Sequence, residues 1–213
     1  MKTDLSKEDL LEIADQLAEY AAGFSGFLSW AKDDVEPEDA PDQGDQPWRA
    51  PFILFAGRGR VEVYRRVLSE NGFVIDPLSM RLIERTDAEL EEWLKESYNR
   101  TADLLDEAHS FLVEAYRDGY RTNGKLGWDF DDFLEERDLL EFFLIGVESH
   151  YTMTDLSIDL FNIDCEIRER IAELGLENFE DEYFPGRIPW FPHRFWWHHR
   201  PERRIQHPDS LEP

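Results

Sequence analysis

The chain has 213 residues, with 48 Asp and Glu against 23 Lys and Arg, a formal net charge of −25. That length suits one compact domain or a domain with an arm, and 41% apolar with 14% aromatic residues supply a core, which excludes wholesale disorder. So negative a chain repels phosphate backbones and anionic lipid, which disfavours direct nucleic-acid binding, and its longest apolar run, around Phe142–Val147, is far short of the ~20 residues of a membrane span.

Residues 7–31 are predicted to form an amphipathic helix, because Leu10, Ala14, Leu17, Ala21, Phe24, Leu28 and Ala31 recur at steps of three and four. Ser6, with Asp9 three residues on, is its expected N-cap. From 33 to 51, seven acids and four prolines break every period, and the stretch reads as a solvated loop. Residues 52–85 have two readings, a hairpin around Gly57-Arg58-Gly59 or a strand feeding a short helix that stops at Gly72. Phe73-Val74-Ile75 and Met80–Ile83, separated by the turn-like Asp76-Pro77-Leu78-Ser79, read as a second hairpin, so a small antiparallel sheet follows either way.

Thr86 with Glu89 has the spacing of a capping box, and a long helix is expected from there to about Asp118, with a stripe of Leu94, Tyr98, Ala102, Leu105, His109, Leu112 and Tyr116. A helix over about 130–150 is apolar all round at Leu139–Ile145 and is expected to be central. A fourth, about 154–174, carries Leu156, Leu160, Ile163, Ile167, Ile171 and Leu174 and ends at Gly175. From residue 186 the charge reverses: five Arg face three acids among Trp190, Phe191, Phe195, Trp196 and Trp197, with prolines that favour an extended arm. The expected fold is therefore mainly α. An acidic domain over 1–185 holds a bundle of about four long helices with a small antiparallel β element near 52–85, and an extended aromatic-basic C-terminal arm covers 186–213.

Tests for reactive chemistry return fragments. Gly119, Gly124 and Lys125 have phosphate-loop spacing, but Leu126 stands where a magnesium-binding hydroxyl belongs and a helix precedes the motif instead of a strand. The arginines of Gly57-Arg58-Gly59-Arg60 are a weak anion site. Asp106 and His109 share a helix face and His150 ends another helix, a partial ligand set for a metal-dependent bundle enzyme that lacks every Glu-x-x-His pair of the di-iron type. His193, His198, His199 and His207 match no closed metal site. No nucleophile elbow is present, and Cys165 reads as a small core residue. With one cysteine no internal disulfide is available, and no basic-then-apolar stretch opens the chain, so a reducing cytoplasm is the expected location.

The charge layout leaves an interaction protein as the leading expectation. Its basic macromolecular partner would meet an acidic surface of the kind an immunity protein, an inhibitor, an antitoxin or a nucleic-acid mimic presents, and no cofactor is implied. The expected contact residues are the dense acidic cluster Asp129, Asp131, Asp132, Glu135, Glu136 and Asp138. The arm adds Trp190, Phe191, Arg194, Trp196, Trp197, Arg200, Arg203 and Arg204, which either fold back on the acidic body or dock on a second subunit or another protein. The alternative is the metal-dependent enzyme on Asp106, His109 and His150.

Overall fold

A computed structural model describes residues 5–35, 49–123, 130–173, 191 and 195. They form five helices: α1 (Lys7–Val35), α2 (Arg49–Glu70), α3 (Pro77–Asn123), α4 (Phe130–Val147) and α5 (Thr154–Glu173). Among the described residues there is no strand, and no helix is long and apolar enough to cross a membrane.

α1 starts where its sequence says. The Ser6 amide donates to Asp9 Oδ2 at 2.8 Å and the Asp9 amide to Ser6 Oγ at 3.1 Å, a reciprocal cap that also holds the Asp9 carboxyl below its ordinary pKa. Ile13, Leu17, Ala21, Phe24, Leu28 and Ala31 are buried along one face, as the period requires.

The β element expected near 52–85 is replaced by helix. α2 runs through Phe52-Ile53-Leu54-Phe55 and both glycines, and buries residues on every side, from Phe52 and Leu54 to Val63, Tyr64 and Leu68. α2 packs against α1, α3 and α4 and leaves to solvent only a narrow strip in its second half, Glu62, Arg65, Arg66, Ser69 and Glu70, so its first half loses the 3.6-residue signature and the apolar run there looks like strand. α2 ends at Gly72, whose φ of 69° suits only glycine comfortably. The Phe73 amide reaches the Leu68 carbonyl at 2.9 Å and the Gly72 amide the Ser69 carbonyl at 3.0 Å, a Schellman close.

α3 begins nine residues before the expected capping box. Asp76 caps it, accepting from the Ser79 amide at 2.7 Å and the Leu78 amide at 3.1 Å, and Pro77 occupies the first helical position. Thr86 lies inside the helix, 1% exposed, its hydroxyl donating back to the Leu82 carbonyl. The second hairpin is therefore the Asp76 cap and the first turns of α3. The 47 residues of α3 span about 70 Å at the helical rise and form one wall of the bundle.

The tightest seam joins α2 and α4. A Cβ on Gly59 would lie 1.8 Å from the Phe142 carbonyl oxygen, and one on Gly146 would lie 1.8 Å from that of Phe55. Only hydrogen at both positions lets the two backbones approach. Gly59 is therefore a contact glycine against α4, and Gly57 one against α1, where an added Cβ would lie 2.9 Å from the Phe27 ring; a hairpin turn was expected at both. α4 sits at the centre of the bundle as anticipated, with Leu140–Leu144 buried consecutively. Two described residues of the C-terminal segment, Phe191 and Phe195, are 4% and 0% exposed and pack on Phe142, with Phe191 also set edge-on against Tyr64. The rest of the expected arm lies outside the described residues.

Gly59→Ala or Gly146→Ala should each cost about 3 kcal/mol or more through backbone overlap, read as a lowered urea midpoint. Gly26→Ala, where an added Cβ meets nothing within 4 Å, should raise the midpoint by about 0.5–1 kcal/mol of helix propensity. Equal effects at Gly59 and Gly26 would contradict the close seam.

Candidate functional site

Polar chemistry gathers where α4 ends. Arg58 leaves α2 beside the glycine seam and donates from Nη1 to the Gly146 carbonyl at 2.7 Å and to Ser149 Oγ at 2.9 Å. Its Nε donates to Asp87 Oδ1 on α3 at 3.1 Å. One guanidinium thus satisfies a terminal α4 carbonyl, meets the negative end of that helix's dipole and ties three helices together. Arg60 goes the other way, its guanidinium 4.8 Å from the Tyr20 ring and 4.9 Å from the Phe142 ring. Both arginines expected as an anion site therefore have internal roles.

His150 lies beside Arg58. Its side chain is 8% exposed, its ring is 5.9 Å from that of Phe55, and its Nε2 stands 3.7 Å from Glu91 Oε1, too far for a hydrogen bond. Burial lowers the imidazole's pKa and nearby Arg58 lowers it further, against the smaller opposing pull of Glu91 and Asp87. Tyr98 and Tyr151 close this end, their rings stacked at 4.6 Å. The Tyr151 hydroxyl donates to the Tyr98 carbonyl and the Tyr98 hydroxyl to the His150 carbonyl; burial pushes the Tyr151 phenol up to about 12.

A second polar group lies about 14 Å back along α4. Arg137 Nε and Nη2 donate to the two carboxylate oxygens of Asp164 on α5, at 3.1 and 2.9 Å, and Nη1 pairs with Glu141 Oε2 at 2.8 Å. The Tyr116 hydroxyl of α3 donates to Asp164 Oδ1 at 2.8 Å. Burial alone would lower the Arg137 pKa, but the Asp164 hydrogen bonds and charge, with Glu141, reverse the sign and raise it. For Tyr116 burial and the Asp164 charge act together, and the phenol stays protonated. The arrangement is a buried clasp of α3, α4 and α5.

The ligand set expected of a metal-dependent enzyme is not assembled. Asp106 is exposed, His109 turns across the bundle to Asp159 Oδ2 on α5 at 2.9 Å, and His150 sits against Phe55, Arg58 and Glu91. Among the described residues no three His, Cys, Asp or Glu side chains are grouped to hold a metal ion. The His109–Asp159 pair orients an imidazole, yet among the described residues no hydroxyl, thiol or amine meets the ring to be activated by it.

Of the expected partner-binding residues, Asp138 is half-buried on α4, and Phe191 faces inward to Tyr64 and Phe142, so its ring is part of the chain's own core. Asp131, Asp132, Glu135 and Glu136 fall on the α4 backbone, but their side chains lie outside the described residues. Asp129, Trp190, Arg194, Trp196, Trp197, Arg200, Arg203 and Arg204 lie outside them altogether. The acidic surface that the structure does display is on α3. Glu89, Glu92, Glu96, Asp103, Glu107 and Glu114 are all exposed, and their steps of three, four and seven confine them to roughly 60° of the helix circumference over about 37 Å. Arg100 and Phe111 flank that row. Four of them, Glu92, Glu96, Asp103 and Glu107, fall opposite the Leu94–Tyr116 stripe as soon as a helix is drawn over 86–118, where with Glu91 the sequence reads them as a solvated face.

No protein-family model matches the chain, and no curated protein and no solved structure matches it.

Two measurements check the polar groups. Asp164→Ala should cost about 3–5 kcal/mol by stranding a buried guanidinium, whereas Tyr116→Phe should cost only about 1 kcal/mol. For His150, the folded pKa lies below the unfolded value of 6.5, so the unfolded chain binds more protons between the two. Stability should be intact above pH 6.5 and fall on acidification through that window, before the carboxylates titrate; in His150→Gln, urea midpoints at pH 7.5 and 5.5 should draw together.

Proposed function

We propose that the protein is a non-catalytic acidic interaction module that binds a basic macromolecular partner, in the manner of an immunity, inhibitor, antitoxin or nucleic-acid-mimic protein acting in the cytoplasm. The observation that carries this reading is the carboxylate row on α3. Neighbouring acids at i,i+3 and i,i+4 stand about 6 Å apart, a spacing comparable to that of phosphates along a nucleic-acid strand, and they project from one rigid rod. Lys95 and Arg85 pair with Glu92 and Glu89 at the row's own surface, and exposed pairs of this kind are weak enough for a partner's cations to replace. Electrostatic attraction along such a row accelerates encounter and selects against acidic competitors.

The buried polar groups favour binding over catalysis. Arg58 and Arg137 are engaged by helix ends and carboxylates, and His109 by Asp159. Self-association through the C-terminal segment has less support, since Phe191 and Phe195 are taken up in the chain's own core and two copies would bring like charge together.

The test compares wild type with Glu92→Gln/Glu96→Gln/Asp103→Asn/Glu107→Gln, four exposed positions where stability should change by under about 0.5 kcal/mol each. Wild type should retain a basic protein from source extract at 50 mM salt and release it at 500 mM, and the variant should retain at least tenfold less. Retention indifferent both to salt and to the four substitutions would refute the reading.

A further inference from the structure

α5 has two apolar faces, and the fold uses one. Leu156, Leu160 and Ile163 are buried toward α3, while Ile158 and Phe161, three residues apart, are 52% and 62% exposed. Those two side chains form a wall of a solvent-open groove of about 510 Å³. Its floor is Leu144 and Val147 from the last turns of α4, with Tyr151 and Met153 from the link that follows. Its volume is within the roughly 300–1,000 Å³ of ligand sites, and the adjacent exposed side chains of Ile158 and Phe161 form a small apolar patch on a charged surface. Methionine and aromatic side chains here adapt to different apolar knobs.

The charge around the groove selects the occupant. Glu148 lines it and Asp155 is exposed on the first turn of α5 beside it, on a chain carrying −25. A second copy would bring the same charge to its rim. An amphipathic helix with apolar residues at i and i+3 or i+4 and Lys or Arg alongside meets both the floor and the rim. We propose that the groove between the end of α4 and the start of α5 docks an amphipathic, cationic helix of the partner. This inference rests on the acidic-module reading and adds an apolar anchor to it: the α3 row attracts the partner, and the groove supplies affinity by burying apolar side chains.

The probe is a fluorescein-labelled Leu/Lys peptide of about 14 residues patterned as an amphipathic helix, with a control of equal charge in which Ser replaces every Leu. Binding is read by anisotropy at 50 mM salt, with Ile158→Ser/Phe161→Ser as the groove variant and the four-carboxylate variant alongside. Wild type should bind the amphipathic peptide at least tenfold more tightly than the control, and the groove variant should lose that difference. The four-carboxylate variant should weaken both peptides alike. Because Ile158 and Phe161 are exposed the groove variant should fold, which its far-UV melt verifies; amide protection over 151–161 in wild type with peptide is an independent reading. If the groove variant keeps wild-type preference, or the peptide leaves 151–161 unprotected, the groove inference fails while the acidic-module reading stands. If neither peptide binds wild type, that reading fails and the inference with it. A concentration-dependent dimer abolished by Ile158→Ser/Phe161→Ser would assign the groove to a second copy and overturn the proposal.

Discussion

Two backbones touching at Gly59 and Gly146 set the geometry of everything else. Each missing Cβ opens the space into which the other helix's carbonyl oxygen projects, so α2 and α4 approach as closely as helices can. The approach brings Arg58 within reach of the Gly146 carbonyl and Arg60 between the Tyr20 and Phe142 rings. It also draws Phe142 into position for Phe191 and Phe195 to pack on it. A helix packed against three others needs small residues somewhere, and Gly59 with Gly146 places them at the α2–α4 crossing.

Around that crossing, polar groups decide how the helices join. Buried ion pairs such as Arg137 with Asp164 and Glu141 contribute modest net stability, because desolvation offsets most of their attraction, but breaking one leaves a charge stranded. Their directional bonds admit one arrangement of α3, α4 and α5, where Leu, Ile and Phe alone would tolerate several. Arg58 acts similarly at the other end of α4, with the added benefit of a helix dipole. The cations at these joints are spent on architecture.

That division explains how so acidic a chain folds and what its surface offers. Half-exposed and exposed carboxylates run along α3, where water screens their repulsion, while among the described residues the buried charges Arg137, Glu141 and Asp164 face one another. The carboxylate row on α3 and the open apolar groove between α4 and α5 are the two surfaces on which the proposed interaction rests.

The amphipathic helices were legible in the residues. α1, with its Ser6–Asp9 cap, the α3 stripe apart from the 46% exposed Tyr98, and Leu156, Leu160 and Ile163 of α5 follow from apolar steps of three and four, because a helix with one wet face must alternate in that way. α2 was not legible: enclosure erases its period, and a glycine that admits a neighbouring helix is spelled the same as one that makes a turn. The Thr86–Glu89 box misled for a related reason, since a capping motif has force only where no earlier cap exists, and Asp76 provides one. Composition and periodicity settled the helical class, the excess of acid and the lack of a catalytic motif, all properties of local sequence. The line of acids on α3 follows from its helical period alone, whereas which histidine meets which acid and where the two exposed apolar residues of α5 end up depend on how far one helix runs and against what it stops, and those are set by contacts between residues distant in the chain.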